Sequence, residues 1–135
     1  AETHFEVGSY LLEQGKHVLI EKPIALNTKD AGALKKLADK HKVNLMVGHV
    51  LLFHPAIIKI KELIDSGKIG KLEYIYSNRL NLGTVRTEEN ILWSFAPHDI
   101  SIFEYFIGSN PVDVVSRGGA FLTPGIHDTT MPSLP

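Results

Sequence analysis

A carboxylate and an ammonium stand together at the end of an apolar run, in the segment Glu21-Lys22-Pro23. The preceding residues, 17–20, predict a short buried strand, so both side chains fall at its carboxyl end. Ligands of open α/β sheets bind at that edge, which makes Lys22 a candidate functional ammonium. An ordinary surface lysine beside a turn-forming proline is the alternative interpretation, and the position alone does not decide between them.

A second candidate pair is His98-Asp99, which follows Pro97. Proline suits the first residue of a helix, and Gly108 suits its end, so we predict that His98 and Asp99 lie in the first turn. There the helix dipole stabilises the carboxylate whatever the protein does. The same dipole disfavours an imidazolium and favours a neutral imidazole, the form that a general base needs. A structural histidine is the alternative.

Residues 72–81 alternate in character and predict a strand. In such a strand Arg79 and Asn81 face the same side and can reach one ligand together. The polar residues 82–90 that follow predict a loop.

The composition excludes several other chemistries. The chain has 7 histidines but no cysteine, and no HExxH element, so we predict no metal site and no disulfide. It also lacks the GxSxG elbow of hydrolases, the phosphate-binding P-loop and the GxGxxG of dinucleotide-binding folds. The chain has 14 Lys and Arg against 15 Asp and Glu, and its apolar runs are short, so we predict that it binds neither nucleic acid nor a membrane. We also predict that the protein is cytoplasmic.

The elements that must position these residues alternate along the chain. Helix, strand, helix and strand are predicted over 3–15, 17–20, 27–41 and 44–48, an order typical of a doubly wound α/β fold with a parallel sheet. Asn27 or Thr28 can cap the second helix. Beyond His54-Pro55 we predict a helix to Ser66-Gly67, the strand 72–81, the helix from Pro97 and a strand at 112–116.

The segment from Gly15 to Pro23, preceded by Thr3-His4, closely resembles the hallmark region of the Gfo/Idh/MocA family, named for glucose-fructose oxidoreductase, inositol dehydrogenase and rhizopine catabolism. The resemblance runs over nearly the whole chain. Residues 78–83 and 89–100 are most similar to the branch that oxidises C3 of UDP-N-acetylglucosaminuronate or a related nucleotide sugar.

This resemblance implies an NAD(P)-dependent dehydrogenase that transfers hydride from a sugar hydroxyl carbon to NAD or NADP. It implies that residues 1–53 end a Rossmann-like parallel sheet that binds the cofactor. Residues 54–135 would begin an α/β domain with an open, mainly antiparallel or mixed sheet, which binds the small-molecule substrate and pairs homo-oligomers. By the same resemblance Lys22 holds the reacting hydroxyl and His98 is the catalytic histidine. The resemblance assigns Glu21, Lys22, Pro23 and His4 to cofactor binding. The substrate-binding residues that we predict are Arg79, Asn81 and Asp99, the first two because they share one face of the strand 72–81.

The sequence also departs from the family pattern. Many members carry an aspartate four residues before the catalytic histidine, where this chain has Ser94, and an arginine where it has Leu52. The family GxGxxG is expected upstream of Ala1 and further strands downstream of Pro135. We therefore expect a piece of a dehydrogenase that is inactive in isolation. A non-catalytic sugar-binding or oligomerisation module is the alternative.

Overall fold

The computed structural model describes residues 1–80, 85 and 90–134. The chain forms two compact units, Ala1–His49 and Val50–Pro135. Whether these units are parts of the two predicted domains stays a prediction.

The first unit has the predicted order of helix, strand, helix and strand. Its elements are α1 (His4–Glu13), β1 (Val18–Ile20), α2 (Thr28–His41) and β2 (Leu45–Val47). The two strands pair in parallel, with Val18 opposite Leu45 and Ile20 opposite Val47. The α/β class and the parallel sheet are therefore confirmed.

The core of this unit lies where α1 packs against α2 and β1. Leu12, Ile20, Leu34 and Ala38 are buried there. Gly8 permits this packing, because a Cβ atom at that position would lie 2.7 Å from Ile20 Cδ1. Close contact of α1 with β1 thus depends on a residue without a side chain.

Local capping fixes where the helices begin and end. Asn27 caps α2 as predicted, since its side-chain oxygen accepts the Asp30 N–H at 2.8 Å. The helix ends at His41, and the C-cap residue Lys42 has a left-handed φ of 54°. Thr3 occupies the N-cap position of α1 but makes no capping hydrogen bond through its side chain.

The second unit contains a 3₁₀ turn (Val50–Phe53), α3 (Pro55–Asp65), α4 (Ile91–Ile107) and the strands β3 (Val115–Gly119) and β4 (Thr129–Ser133). The strands form an antiparallel hairpin. His54 begins α3 as its N-cap, with Nδ1 accepting the Ala56 N–H at 3.2 Å. The two helices pack on each other, and α4 also contacts β4.

The predicted start of α4 is wrong. The helix begins six residues before Pro97, because the Asn90 side chain accepts the Trp93 N–H at 3.1 Å and caps it there. Pro97 lies inside the helix, where it cannot donate to the carbonyl of Trp93. His98 and Asp99 are therefore in the middle of α4, and the argument from the dipole at a helix start does not apply to them.

Two strand predictions also need correction. Residues 72–80 are not a β-strand, because no described residue supplies the ladder of hydrogen bonds that defines one. The strand expected at 112–116 lies at Val115–Gly119 instead. Its position is set by pairing with β4, in which Val115 lies opposite Ser133 and Gly119 opposite Thr129.

Candidate active site

The carboxyl ends of β1 and β2 bring Glu21 and Gly48 together. The two strands are parallel neighbours, and the Gly48 N–H donates to the Ile20 carbonyl at 2.8 Å. A Cβ atom at position 48 would lie 3.1 Å from Glu21 Oε1 and 3.2 Å from Oε2. The glycine therefore leaves room for the carboxylate at this edge of the sheet.

His4 supports the same loop from the start of α1. Its Nδ1 lies 2.8 Å from the Pro23 carbonyl oxygen, across a separation of 19 residues. A carbonyl only accepts hydrogen bonds, so Nδ1 carries the hydrogen, and in the neutral ring Nε2 is left as an acceptor. The peptide between Lys22 and Pro23 is cis.

Lys22 is half-buried in this loop, and its backbone N–H donates to Glu21 Oε2 at 3.3 Å.

His49 comes directly after Gly48 at the end of the second strand. Its Nδ1 is buried and has no hydrogen-bond partner among the described residues. No motif of the sequence marks His49 as a site residue. Its place after a buried parallel strand, like that of Glu21, is the signal that could have marked it as a site residue.

In the second unit, α4 brings Asp99 to Arg79 and Ser77. Asp99 Oδ2 accepts from Arg79 Nε at 2.6 Å, and Oδ1 accepts from Ser77 Oγ at 3.0 Å. The side chains of Arg79 and Asp99 are 34% and 20% exposed, so this ion pair is largely shielded from solvent. Residues 77 and 79 are thus both attached to α4.

His98 precedes Asp99 in the chain and is half-buried, with its Nδ1 atom fully buried. Its backbone carbonyl accepts from Ser101 Oγ at 2.8 Å. Ser94, one helical turn earlier, is also buried. The imidazole is therefore held within a packed stretch of helix.

The predicted site residues fall into two groups. Four of them, His4, Glu21, Lys22 and Pro23, gather at the sheet edge of the first unit. His98, Asp99 and Arg79 gather around α4 in the second unit. Asn81 lies outside the described residues.

The loop of the hairpin supports the start of α4. The Asp128 carboxylate accepts the backbone N–H groups of Leu122 at 2.6 Å and Phe121 at 2.7 Å. These bonds, chiefly the one from Leu122, hold the pKa of Asp128 below its usual range. The adjoining His127 carbonyl accepts the Ile91 N–H at 2.9 Å, which satisfies an N–H at the first residue of the helix.

The described residues contain neither a cluster of metal-ligating side chains nor a helix that could cross a membrane. In residues 1–80, 85 and 90–134, no three histidine, aspartate or glutamate side chains are grouped so that they could hold a metal ion. Within the same residues, no helix has the length and apolar character needed to cross a bilayer.

Comparison with known proteins identifies the family. Residues 1–49 match the GFO_IDH_MocA family, described as an oxidoreductase family with an NAD-binding Rossmann fold. The UDP-N-acetylglucosamine 3-dehydrogenase of Acidithiobacillus ferrooxidans is 32% identical over 122 residues, which cover 90% of this chain and 38% of that protein. Residues 1–49 belong to the Gfo/Idh/MocA oxidoreductase family. A second family relative, the inositol 2-dehydrogenase of Rhizobium meliloti, is 25% identical over 94% of this chain and 40% of its own length. The chain thus spans about two fifths of these curated relatives.

Two solved structures agree with this chain in fold. The structure of the A. ferrooxidans UDP-N-acetylglucosamine 3-dehydrogenase matches with a TM-score of 0.83 and 30% identity, covering 96% of this chain and 40% of that one. An NAD-binding protein from Listeria innocua matches with a TM-score of 0.87 at 20% identity, covering 97% of this chain and 41% of that one, which shows the shared fold alone.

The cofactor of this family is NAD, and the residues at the sheet edge fit its ribose end. A ribose offers hydroxyl donors, and the Glu21 carboxylate next to Gly48 is an acceptor for them. The buried Nδ1 of His49 is a further polar atom at that edge with bonding capacity left over. The pyrophosphate end needs a glycine-rich turn before a helix, and this sequence has no GxGxxG.

Proposed function

We propose that this chain is the segment of an NAD-dependent sugar dehydrogenase that carries the reacting groups. The observation that carries the proposal is the loop Glu21-Lys22-Pro23, which His4 and the close approach of Gly48 support at the carboxyl edge of parallel strands. A lysine held at the edge where α/β sheets bind ligands is placed to contact a bound substrate.

The reaction that these residues support is oxidation of a secondary alcohol to a ketone. When bound, NAD supplies the nicotinamide ring that accepts a hydride from the carbinol carbon. The Lys22 ammonium donates a hydrogen bond to the reacting hydroxyl oxygen and stabilises the negative charge that develops there. His98 accepts the hydroxyl proton at Nε2, since its Nδ1 is buried. As the hydride and the proton leave, the carbon–oxygen single bond becomes the double bond of the ketone.

For the substrate we propose a UDP-N-acetylhexuronate or a related nucleotide sugar, which is oxidised at C3. The support is the 32% identity to a protein named UDP-N-acetylglucosamine 3-dehydrogenase. Arg79 and Asn81 are proposed to bind the carboxylate or N-acetyl group of the sugar, since a guanidinium pairs well with a carboxylate. Asp99 is grouped with them because its carboxylate accepts a hydrogen bond from Arg79 Nε at 2.6 Å.

We further propose that residues 1–53 end the cofactor domain and residues 54–135 begin the substrate domain of a longer protein, which forms homo-oligomers through the sheet of the second domain. Apolar residues of α1 and β1 support the part of this proposal that concerns the cofactor domain. Val7, Tyr10 and Leu19 are 53%, 63% and 67% exposed, and Val7 and Leu19 line a groove of about 280 Å³. Further strands and helices of a Rossmann domain would cover such a surface.

The test is cofactor reduction by the protein encoded with its flanking sequence. It is incubated with NAD, or NADP, and a panel of UDP-sugars with and without a carboxylate, and the absorbance of the reduced cofactor is followed. We expect reduction with a UDP-N-acetyl sugar, and none by the 135-residue chain alone. No reduction with any sugar of the panel would overturn the proposed function. Sugar binding without reduction, measured by calorimetry, would favour a non-catalytic binding module.

A further inference from the structure

Asp99 is the most heavily bonded carboxylate in the part of α4 that carries His98. Both of its oxygens accept hydrogen bonds, one from the Arg79 guanidinium at 2.6 Å and one from the Ser77 hydroxyl at 3.0 Å. Hydrogen bonds to a charged group are stronger than those between neutral groups. The Asp99 side chain of this ion pair is only 20% exposed. It therefore differs from the exposed ion pairs Lys35–Asp39 of α2 and Lys59–Glu62 of α3.

The two donors belong to one short segment without regular secondary structure. Residues 71–80 form neither helix nor strand, so no ladder of backbone hydrogen bonds holds Arg79 and Ser77 in place. Among the described contacts, the bonds to Asp99 are the ones that attach this segment to α4.

Those bonds also constrain the helix. Successive residues of an α-helix are separated by about 100° around its axis, so a side chain at 99 that is tied at one angle sets the angle of the side chain at 98. A turn of α4 that moves His98 has to break or stretch the ion pair with Arg79. The direction in which the side chain at position 98 leaves the helix is thus coupled to the Asp99 contacts.

We propose that Asp99 is a positioning residue, which fixes His98 and the segment 77–79 relative to each other and exchanges no proton with the substrate. This inference rests on the proposed function, since it assigns His98 as the base. Ser94 occupies the position where many relatives carry a second acidic group, and Asp99 is the nearby residue that could take its place. Asp99 does not replace that group, because Arg79 and Ser77 occupy both of its oxygens.

The test is a kinetic double-mutant cycle in the longer protein with Asp99→Asn, Arg79→Met and the double variant. A base misplaced by about 1 Å can cost 100-fold, so we expect each single variant to lower kcat by about 10- to 100-fold. The double variant should lose no more than the worse single one, because both changes break the same contact. Arg79→Lys, which keeps a cationic donor, should recover part of the loss. All variants should keep the shape of the wild-type pH profile.

Two results would overturn the inference. One is a double variant whose fold-loss of kcat equals the product of the two single losses. The other is an Asp99→Asn variant that loses more than about 1,000-fold and a limb of its pH profile while Arg79→Met stays active, since this pattern identifies Asp99 as a proton-exchanging group. The matched control is the exposed pair Lys59–Glu62, whose side chains are 67% and 59% exposed. Lys59→Met should leave kcat unchanged.

A readout without turnover separates this inference from the proposed function. If the longer protein reduces no cofactor, the proposed function fails, and the carbon signal of ¹³C-labelled His98 still reports its surroundings. Arg79→Met should shift that signal although it lies 19 positions away in the chain, and Lys59→Met should not. An unchanged His98 signal in Arg79→Met would overturn the positioning role.

Discussion

Replacing Gly8 by alanine tests how α1 lies on β1, and through α1 the placement of His4. A Cβ atom at Gly8 would lie 2.7 Å from Ile20 Cδ1 and 3.1 Å from Leu34 Cδ2. Both partners are buried, with Ile20 6% and Leu34 0% exposed, so neither can move into solvent. The new methyl group must push α1 away from the sheet or force its neighbours out of their rotamers.

The size of the effect follows from two opposing contributions. Alanine is better than glycine inside a helix by about 1 kcal/mol. Inserting a methyl group into a packed core costs about 1–3 kcal/mol. The net effect of Gly8→Ala is therefore a loss of about 0–2 kcal/mol. Gly32→Ala in α2 is the matched control, because no atom lies within 4 Å of its Cβ position and only the helical gain remains.

The assay is amide hydrogen exchange of α1 and β1 in the longer protein, which reports the free energy of local opening. We expect the two variants to differ by about 1–3 kcal/mol, with exchange faster in Gly8→Ala by at least about fivefold relative to Gly32→Ala. Equal slowing of exchange in both variants would mean that Gly8 has room for a side chain. That result would refute the packing of α1 on β1 described above.

Three further predictions concern the site and the hairpin. Gly48→Ala should weaken NAD binding in calorimetry by about 10-fold, because the methyl group displaces the Glu21 carboxylate by a few tenths of an ångström; unchanged affinity would contradict a role for Glu21 in binding. His4→Phe keeps the ring but removes the donor to Pro23, so kcat should fall by about 10-fold, whereas a wild-type kcat would show that the loop needs no support from α1. Asp128 has a lowered pKa in the folded protein, so its contribution to stability is present above the unfolded pKa and is lost as pH falls through the folded one. Asp128→Asn should therefore reduce the drop in thermal midpoint between about pH 6 and about pH 3, and an equal drop in both proteins would contradict the assignment.

The first unit could be predicted from the sequence because its signals are local. The apolar runs of β1 and β2, the cap at Asn27 and the family segment ending in Pro23 each mark an element within a few residues. The contact of His4 with Pro23 could not be predicted, since it joins positions 19 residues apart through the packing of α1.

The second unit shows where local signals fail. Pro97 suggested a helix start, but the cap at Asn90 begins α4 earlier, and a proline can lie inside a helix at the loss of one hydrogen bond. The alternation of residues 72–80 is a property of the side chains, whereas a strand needs a partner. The contact of Arg79 with Asp99 depends on tertiary packing and was not predictable from spacing.

The central claim is that Lys22 acts on the substrate and does not merely support the fold. The decisive measurement is cofactor reduction by Lys22→Met in the longer protein, beside calorimetric binding of NAD to the same variant. Lys16→Met is the control, since Lys16 is an exposed lysine before β1. The account predicts that Lys22→Met, once saturated with NAD, reduces it at least about 100-fold more slowly, while Lys16→Met matches the wild type. Reduction by Lys22→Met at the wild-type rate would contradict it.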